Sequence, residues 1–155
     1  MNRTTNTKGF TIIEVVLVLA IAGLIFLVVF LALPALQRSQ RDTQRKSDLG
    51  KLMSQVTSYQ SNNQGTLPTA TWDTTFKTGY LTVNNASFAD PQTGNTYTIQ
   101  QQATFNPKPA VGEIFTYLNA RCDPTSATGL SAGSGNRNFA AIIYQEQGGY
   151  ACQSN

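Results

Sequence analysis

Glu14 is the ionisable side chain with the most unusual setting, because it directly precedes Val15 to Leu33, nineteen residues without a polar side chain. A carboxylate drawn into hydrocarbon costs on the order of 2.5–3.5 kcal/mol and wants a cationic partner; at the headgroup level it is simply solvated. Other chemistry-bearing residues are sparse. The chain has no His, which removes the usual general base, the commonest metal ligand and every Ser-His or Cys-His nucleophile pair. Gly129-Leu130-Ser131-Ala132-Gly133 spells the Gly-x-Ser-x-Gly pattern of a nucleophile elbow, but without His there is no triad, and small residues in a loop between Pro124 and Asn138 explain it. Asp90, Glu113 and Asp123 are scattered and form no spaced oxygen-ligand loop for calcium. Asn85-Ala86-Ser87 fits a glycosylation sequon, a pattern frequent by chance. The chain reads as a non-enzyme, with no catalytic residue, metal site, cofactor or small-molecule substrate.

The elements that must position Glu14 begin with the apolar run itself. At about 1.5 Å rise per residue its helix matches the ~30 Å hydrocarbon core of a bilayer. A buried helix of a soluble protein is the competing reading, but a run that is apolar all round offers no polar face to water. A cleaved secretory signal is the second competitor, given Arg3, Lys8 and the small-x-small Ala20-Ile21-Ala22. It fits poorly, because the run continues well past Ala22 and Glu14 sits where the signal core would begin. The 155 residues leave room for one domain. Charged residues are 12% of the chain against about 25% in ordinary proteins, and the net charge is +3, too weak a field to select nucleic acid as a partner.

Pro34 lies where the helix would otherwise continue, and an interior proline predicts a bend or a locally melted turn. From Gln37 to Asp48 no side chain is apolar, while Arg38, Asp42, Arg45 and Lys46 pair at i,i+3 and i,i+4 spacing; this predicts a solvated helical neck. Leu49, Leu52, Met53, Val56 and Tyr59 then form a one-sided stripe fit to cover a sheet, and Asn62-Asn63-Gln64-Gly65 with Pro68 signals the stop. Beyond Pro68, β-prone runs fall at Gly79 to Val83, Thr96 to Phe105, Ile114 to Arg121, Phe139 to Gln145 and Gly149 to Cys152, with a hairpin turn at Glu146-Gln147-Gly148-Gly149. A long helix followed by an antiparallel sheet is an α+β fold.

Lys8-Gly9-Phe10-Thr11-Ile12-Ile13-Glu14-Val15-Val16 closely resembles the class III leader junction of type IV pilins and pseudopilins. The resemblance is specific over residues 8 to about 65 and architectural beyond. It implies a lollipop-shaped precursor that a membrane-embedded prepilin peptidase cuts between Gly9 and Phe10, N-methylating Phe10. It further implies that the new Phe10 amine meets Glu14 of an adjoining subunit and sets the stagger between helices. The regions would be a leader over 1–9, a transmembrane and assembly helix over 10–36, its amphipathic continuation over 37–63 and a β-rich headgroup over 64–155. Pilins commonly carry a glycine and a proline as kink residues in this helix, here Gly23 and Pro34, the latter about one turn later than the family's usual position. Asp90-Pro91-Gln92-Thr93-Gly94-Asn95-Thr96-Tyr97 looks like the turn-to-strand element of pseudopilins and many short pilins, and a structural turn accounts for it.

The family topology places the N-terminus in the cytoplasm and the rest outside. Charge counting does not support it, since Arg38, Arg41, Arg45 and Lys46 follow the span while Arg3 and Lys8 precede it. With the later residues outside, Cys122 and Cys152 form an even pair expected to bridge, as in the C-terminal disulfide region of many pilins. The implied function is a structural subunit of an extracellular type IV pilus serving adhesion, twitching motility or DNA uptake. Its partners would be itself, the membrane, a prepilin peptidase, an assembly ATPase and a platform protein. The alternatives are a type II secretion pseudopilin and a minor pilin binding DNA or surfaces through Lys108, Arg121 and Arg137, three scattered cations.

Overall fold

The computed structural model describes residues 9–68, 72–82, 88–105, 108–135 and 137–155. Arg3 and Lys8 of the expected leader, the Asn85 to Ser87 sequon and Val83 lie outside these residues. The protein is α+β. Helix α1 (Ile12–Asn62) is followed by a π-helical segment (Trp72–Leu81) and six strands: β1 (Thr98–Gln101), β2 (Glu113–Leu118), β3 (Ala120–Cys122), β4 (Leu130–Ala132), β5 (Phe139–Tyr144) and β6 (Tyr150–Ser154). Two compact units divide the chain, Met1–Gln37 and Arg38–Asn155. Among the described residues every buried side chain belongs to the second.

Thr11 opens α1 as its N-cap, its hydroxyl accepting a bond from the Glu14 amide at 3.4 Å. Thr11-Ile12-Ile13-Glu14 is therefore a Thr-x-x-Glu capping sequence, with the Thr11 hydroxyl also 3.5 Å from Glu14 Oε2. At the far end Gln64 and Gly65 take left-handed backbone (φ 56° and 81°), and the Gly65 amide returns to the Gln60 carbonyl at 2.7 Å. The expected stop signal is thus the actual one. The helix is unbroken at Gly23 and Pro34, so the locally melted turn expected at the proline is not present. Pro34 removes a single amide from the ladder, and the residues on either side keep theirs.

In the second unit β1-β2-β5-β6 form one sheet and β3-β4 a second. β2, β5 and β6 are antiparallel neighbours, with Tyr117 opposite Ala140 and Ile142 opposite Cys152. β1 departs from the expected pattern: it runs parallel to β2, Thr98 opposite Glu113. The expected strand from Thr96 to Phe105 ends at Gln101, and the chain crosses back to begin β2 rather than turning in a hairpin. In that crossing, Phe105 reaches the second core.

Each face of the sheet covers a core. One joins Ile99, Ile114, Phe139, Ala141 and Ile143 to Leu49, Leu52 and Val56 of α1. The other joins Tyr117, Ala140 and Ile142 to Ala120 and Leu130 of the small β3-β4 sheet. Leu130 to Ala132 is therefore a strand, where a loop was expected. Asn119, with φ 52°, makes the step from β2 to β3, a conformation Asn tolerates better than most residues.

The strand expected at Gly79 to Val83 is also overturned, because Gly79 to Leu81 are the end of the π-helical segment. Its i→i+5 bonding is seen where the Thr82 amide meets the Lys77 carbonyl at 2.9 Å. Trp72, Phe76 and Tyr80 recur every fourth residue, and the wide turn keeps them on one side. Consecutive rings lie 5.2 and 5.4 Å apart, Tyr59 of α1 meets Phe76 edge-on, and Trp72 stacks on Phe139. Aromatic contact with the core overrides the strand propensity of the short Tyr80-Leu81 run.

Candidate functional site

The first unit presents an apolar helical surface with a single carboxylate. Phe10 is 86% exposed, and every large apolar side chain from Ile12 to Leu36 is exposed as well. The stretch is long and apolar enough to cross a membrane. Phe10 and Glu14 border a shallow groove of about 190 Å³ with Val15, Val18 and Leu19. Gly9 is exposed beside them, and Gly23 faces open space. Sequence reasoning picked out these residues individually; it did not identify Thr11 as the cap that orders the backbone at Glu14, although the Thr-x-x-Glu spacing carries that signal.

The second unit holds an ion network where a solvated neck was expected. Asp42, Arg45 and Asp48 are buried, and they continue the face of α1 later occupied by Leu49, Leu52 and Val56. Arg45 uses its whole guanidinium fork. Nε and Nη2 donate to Asp90 at 2.7 and 3.2 Å, Nη1 donates to Asp42 at 3.2 Å and Glu146 at 2.9 Å, and Nη2 donates to Gln92 at 3.1 Å. The Tyr144 ring lies beneath it, 5.8 Å from centroid to guanidinium carbon. Arg41 adds a bidentate pair to Glu146 at 2.7 and 2.6 Å.

Two of these carboxylates, Asp90 and Asp42, also hold backbone. Asp90 accepts the Gln92 and Thr93 amides at 3.0 and 3.1 Å, so the Asp90 to Tyr97 turn is built around the carboxylate that Arg45 engages. Asp42 accepts the Glu146 and Gln147 amides at 2.8 and 3.0 Å, fixing the β5-β6 hairpin turn to α1. Asp48 accepts the Tyr97 hydroxyl at 3.1 Å. The turn is a structural one, as expected, and it also anchors the helix.

Electrostatics follow this geometry. Burial pushes the Asp90 carboxyl upward, but the Arg45 bonds and the two backbone amides outweigh it and hold the group below its ordinary value. The Arg41 bonds, opposed by burial and reinforced by Arg45, hold Glu146 down at about 2. Asp48 moves the other way: burial raises it despite the Tyr97 and Gln44 bonds. For Arg45, burial disfavours the charge but Asp90 and Glu146 more than compensate, so it stays protonated.

A pH dependence follows with a definite sign. Glu146 ionises more easily folded than unfolded, so its contribution is complete above the ordinary value of 4.5 and is lost as pH falls toward about 2. Asp90 acts in the same direction and Asp48 against it. Thermal melts should show stability falling from pH 4.5 to 2, and Glu146→Gln should flatten that fall. At neutral pH the variant should be less stable by on the order of 2 kcal/mol, below the full linkage value because Arg41 is partly solvated. Equal acid sensitivity in both proteins would remove Glu146 from the account.

Cys122 and Cys152 form a disulfide with 5.8 Å between Cα atoms, tying β3 to β6. Ser131 sits within β4 opposite Arg121, away from any strand-to-helix elbow. The three scattered cations have separate settings: Arg121 lies 3.5 Å from Asn138 Oδ1, Arg137 abuts Gly65, and Lys108 borders a groove on the sheet. Of the cations after the apolar stretch, Arg41 and Arg45 are neutralised by carboxylates in the folded unit. The chain matches no known protein family, no curated protein and no solved structure.

Proposed function

We propose that this chain is a subunit of a type IV pilus, made as a precursor, cut between Gly9 and Phe10 and polymerised through the first part of α1. The observation that carries the reading is the exposed apolar helical surface with Glu14 at its head, four residues beyond Phe10. Such a surface needs lipid or other apolar helices around it. A freed Phe10 amine on a neighbouring copy supplies the cation that Glu14 lacks in an apolar bundle, so the same segment serves first as a membrane anchor and then as a filament core. The disulfide and the β-rich second unit accord with a headgroup that works outside the cytoplasm.

The test is a Glu14→Ala variant with N-terminal mass spectrometry of membrane and sheared surface fractions. Insertion and processing should persist, read as a peptide beginning at methylated Phe10. Sheared filaments should fall by about tenfold or more, the equivalent of 1.4 kcal/mol per added subunit. Undiminished filaments would remove Glu14 from assembly, and a peptide beginning only at Met1, confined to membranes, would overturn the pilus reading.

A further inference from the structure

Two grooves meet at Tyr150. One, of about 360 Å³, is bordered by Lys108, Thr128, Ile142 and Cys152. The other, of about 370 Å³, lies between Lys46 and Leu49 of α1 and Gln145 and Gln153 beside the edge strand β6. Tyr150 and Cys152 border both.

Tyr150 is 42% exposed. Its ring meets Tyr144 edge-on at 6.4 Å, and Tyr144 lies beneath the Arg45 guanidinium. Two residues along the strand, the disulfide fixes Cys152 to β3. Such a ring is a platform braced by Tyr144 on one side and open on the other. Lys46 and Lys108 are exposed, and neither forms an ion pair among the described residues. Among the described residues neither groove is bordered by a carboxylate. Four of the eight carboxylates, Asp42, Asp48, Asp90 and Glu146, are engaged in bonds around α1.

We propose that Tyr150, flanked by Lys46 and Lys108, is a binding site for an acidic polysaccharide. A sugar ring lies on Tyr150, its neighbours' carboxylates pair with the lysines, and Gln145, Gln153 and Thr128 bond ring hydroxyls. The low density of cations favours this polymer over a single-stranded nucleic acid. A phosphodiester chain carries a charge at every nucleotide and is tracked by a cation-rich groove. Here, among the described residues, each groove has one cation, beside hydroxyls in the first and amides in the second, which complements carboxylates set between uncharged, hydroxyl-rich rings. The site stands independently of the filament reading.

The test is calorimetric titration of the full chain in detergent micelles with a tetragalacturonate, with a neutral maltotetraose and a short oligothymidylate alongside. The acidic sugar should bind, with affinity falling as salt rises, and the neutral sugar should bind about tenfold more weakly or not at all. Tyr150→Ala should weaken binding about 3- to 10-fold and Lys108→Gln or Lys46→Gln about 2- to 5-fold each. Lys108 has no bond that holds the fold among the described residues, so Lys108→Gln keeps the test decisive if Tyr150→Ala disturbs β6. Absence of binding, binding indifferent to both Tyr150→Ala and Lys108→Gln, or tighter binding of oligothymidylate through these residues would each overturn the proposal.

Discussion

Arg45→Met should destabilise the folded protein by about 3–5 kcal/mol, the largest effect expected of any single replacement outside the apolar cores. The guanidinium is fully buried and makes five hydrogen bonds, two to Asp90, one each to Asp42, Glu146 and Gln92. Methionine fills much of the volume but leaves the Asp90 carboxylate, itself inaccessible to water, without its counterion. The cost comes mainly from that stranded charge and less from the intrinsic strength of the pair. Arg45→Lys should recover only part of the loss, because an ammonium cannot reproduce a planar fork aimed at three carboxylates. Replacing Arg45, Asp90 and Glu146 together by apolar residues of similar size should give a protein closer to wild type than Arg45→Met alone. Urea unfolding can be followed through the fluorescence of Trp72, the single tryptophan, buried against Phe139. A loss below about 1 kcal/mol for Arg45→Met would mean that water reaches Asp90 and that the network is weaker than its geometry implies.

Removing the disulfide, by Cys122→Ser with Cys152→Ser, should cost about 3–4 kcal/mol in the chain-entropy account, the bridge having a sequence separation of 30. The loss should be uneven. Cys122 belongs to the small β3-β4 sheet and Cys152 to the edge of the large one, so the bond holds the cover of the second core in place. Hydrogen exchange should accelerate first at Ala120 to Cys122 and Leu130 to Ala132, while Leu52 and Val56, on the other face, stay protected. Equal acceleration on both faces would show that the two cores open as one cooperative unit.

What was legible in the sequence were features carried by neighbours along the chain. Leu49, Leu52, Val56 and Tyr59 mark a packed helix face by spacing alone, Gln64 and Gly65 mark its stop, and Glu146 to Gly149 mark a hairpin turn. The two cysteines pair as anticipated. The same helix face continues toward the N-terminus through Asp42, Arg45 and Asp48, and there the polar residues concealed it. A charged residue reads as solvated unless its partner is known, and Arg45's partners are 45 and 101 residues away. The parallel placement of β1 against β2 and the pairing of β4 with β3 involve nearby chain, but which strand pairs with which, and in which direction, is not specified by the local pattern of either strand. Trp72, Phe76 and Tyr80 are different: their four-residue spacing was visible, but a π-helical segment is too rare for local propensity to favour it. At the candidate assembly segment, the apolar run, Gly9, Phe10 and Glu14 stood out from composition and motif, whereas the capping role of Thr11 emerged with the backbone.

The long loops closed by the Arg45 network also impose an order in time. α1 is complete once Asn62 has been made, yet Arg41 and Arg45 cannot satisfy Glu146 until the chain has grown through residue 146. Until then the helix lacks the hairpin that Asp42 must hold, and the sheet beneath it lacks β6. Contacts of such separation form late and slowly, after their loop-closure entropy has been overcome. A chain delivered across a membrane from the helix end would therefore remain threadable for most of its transit. Its native structure would lock only when the β5-β6 turn emerges, so that passage and folding would occur in succession.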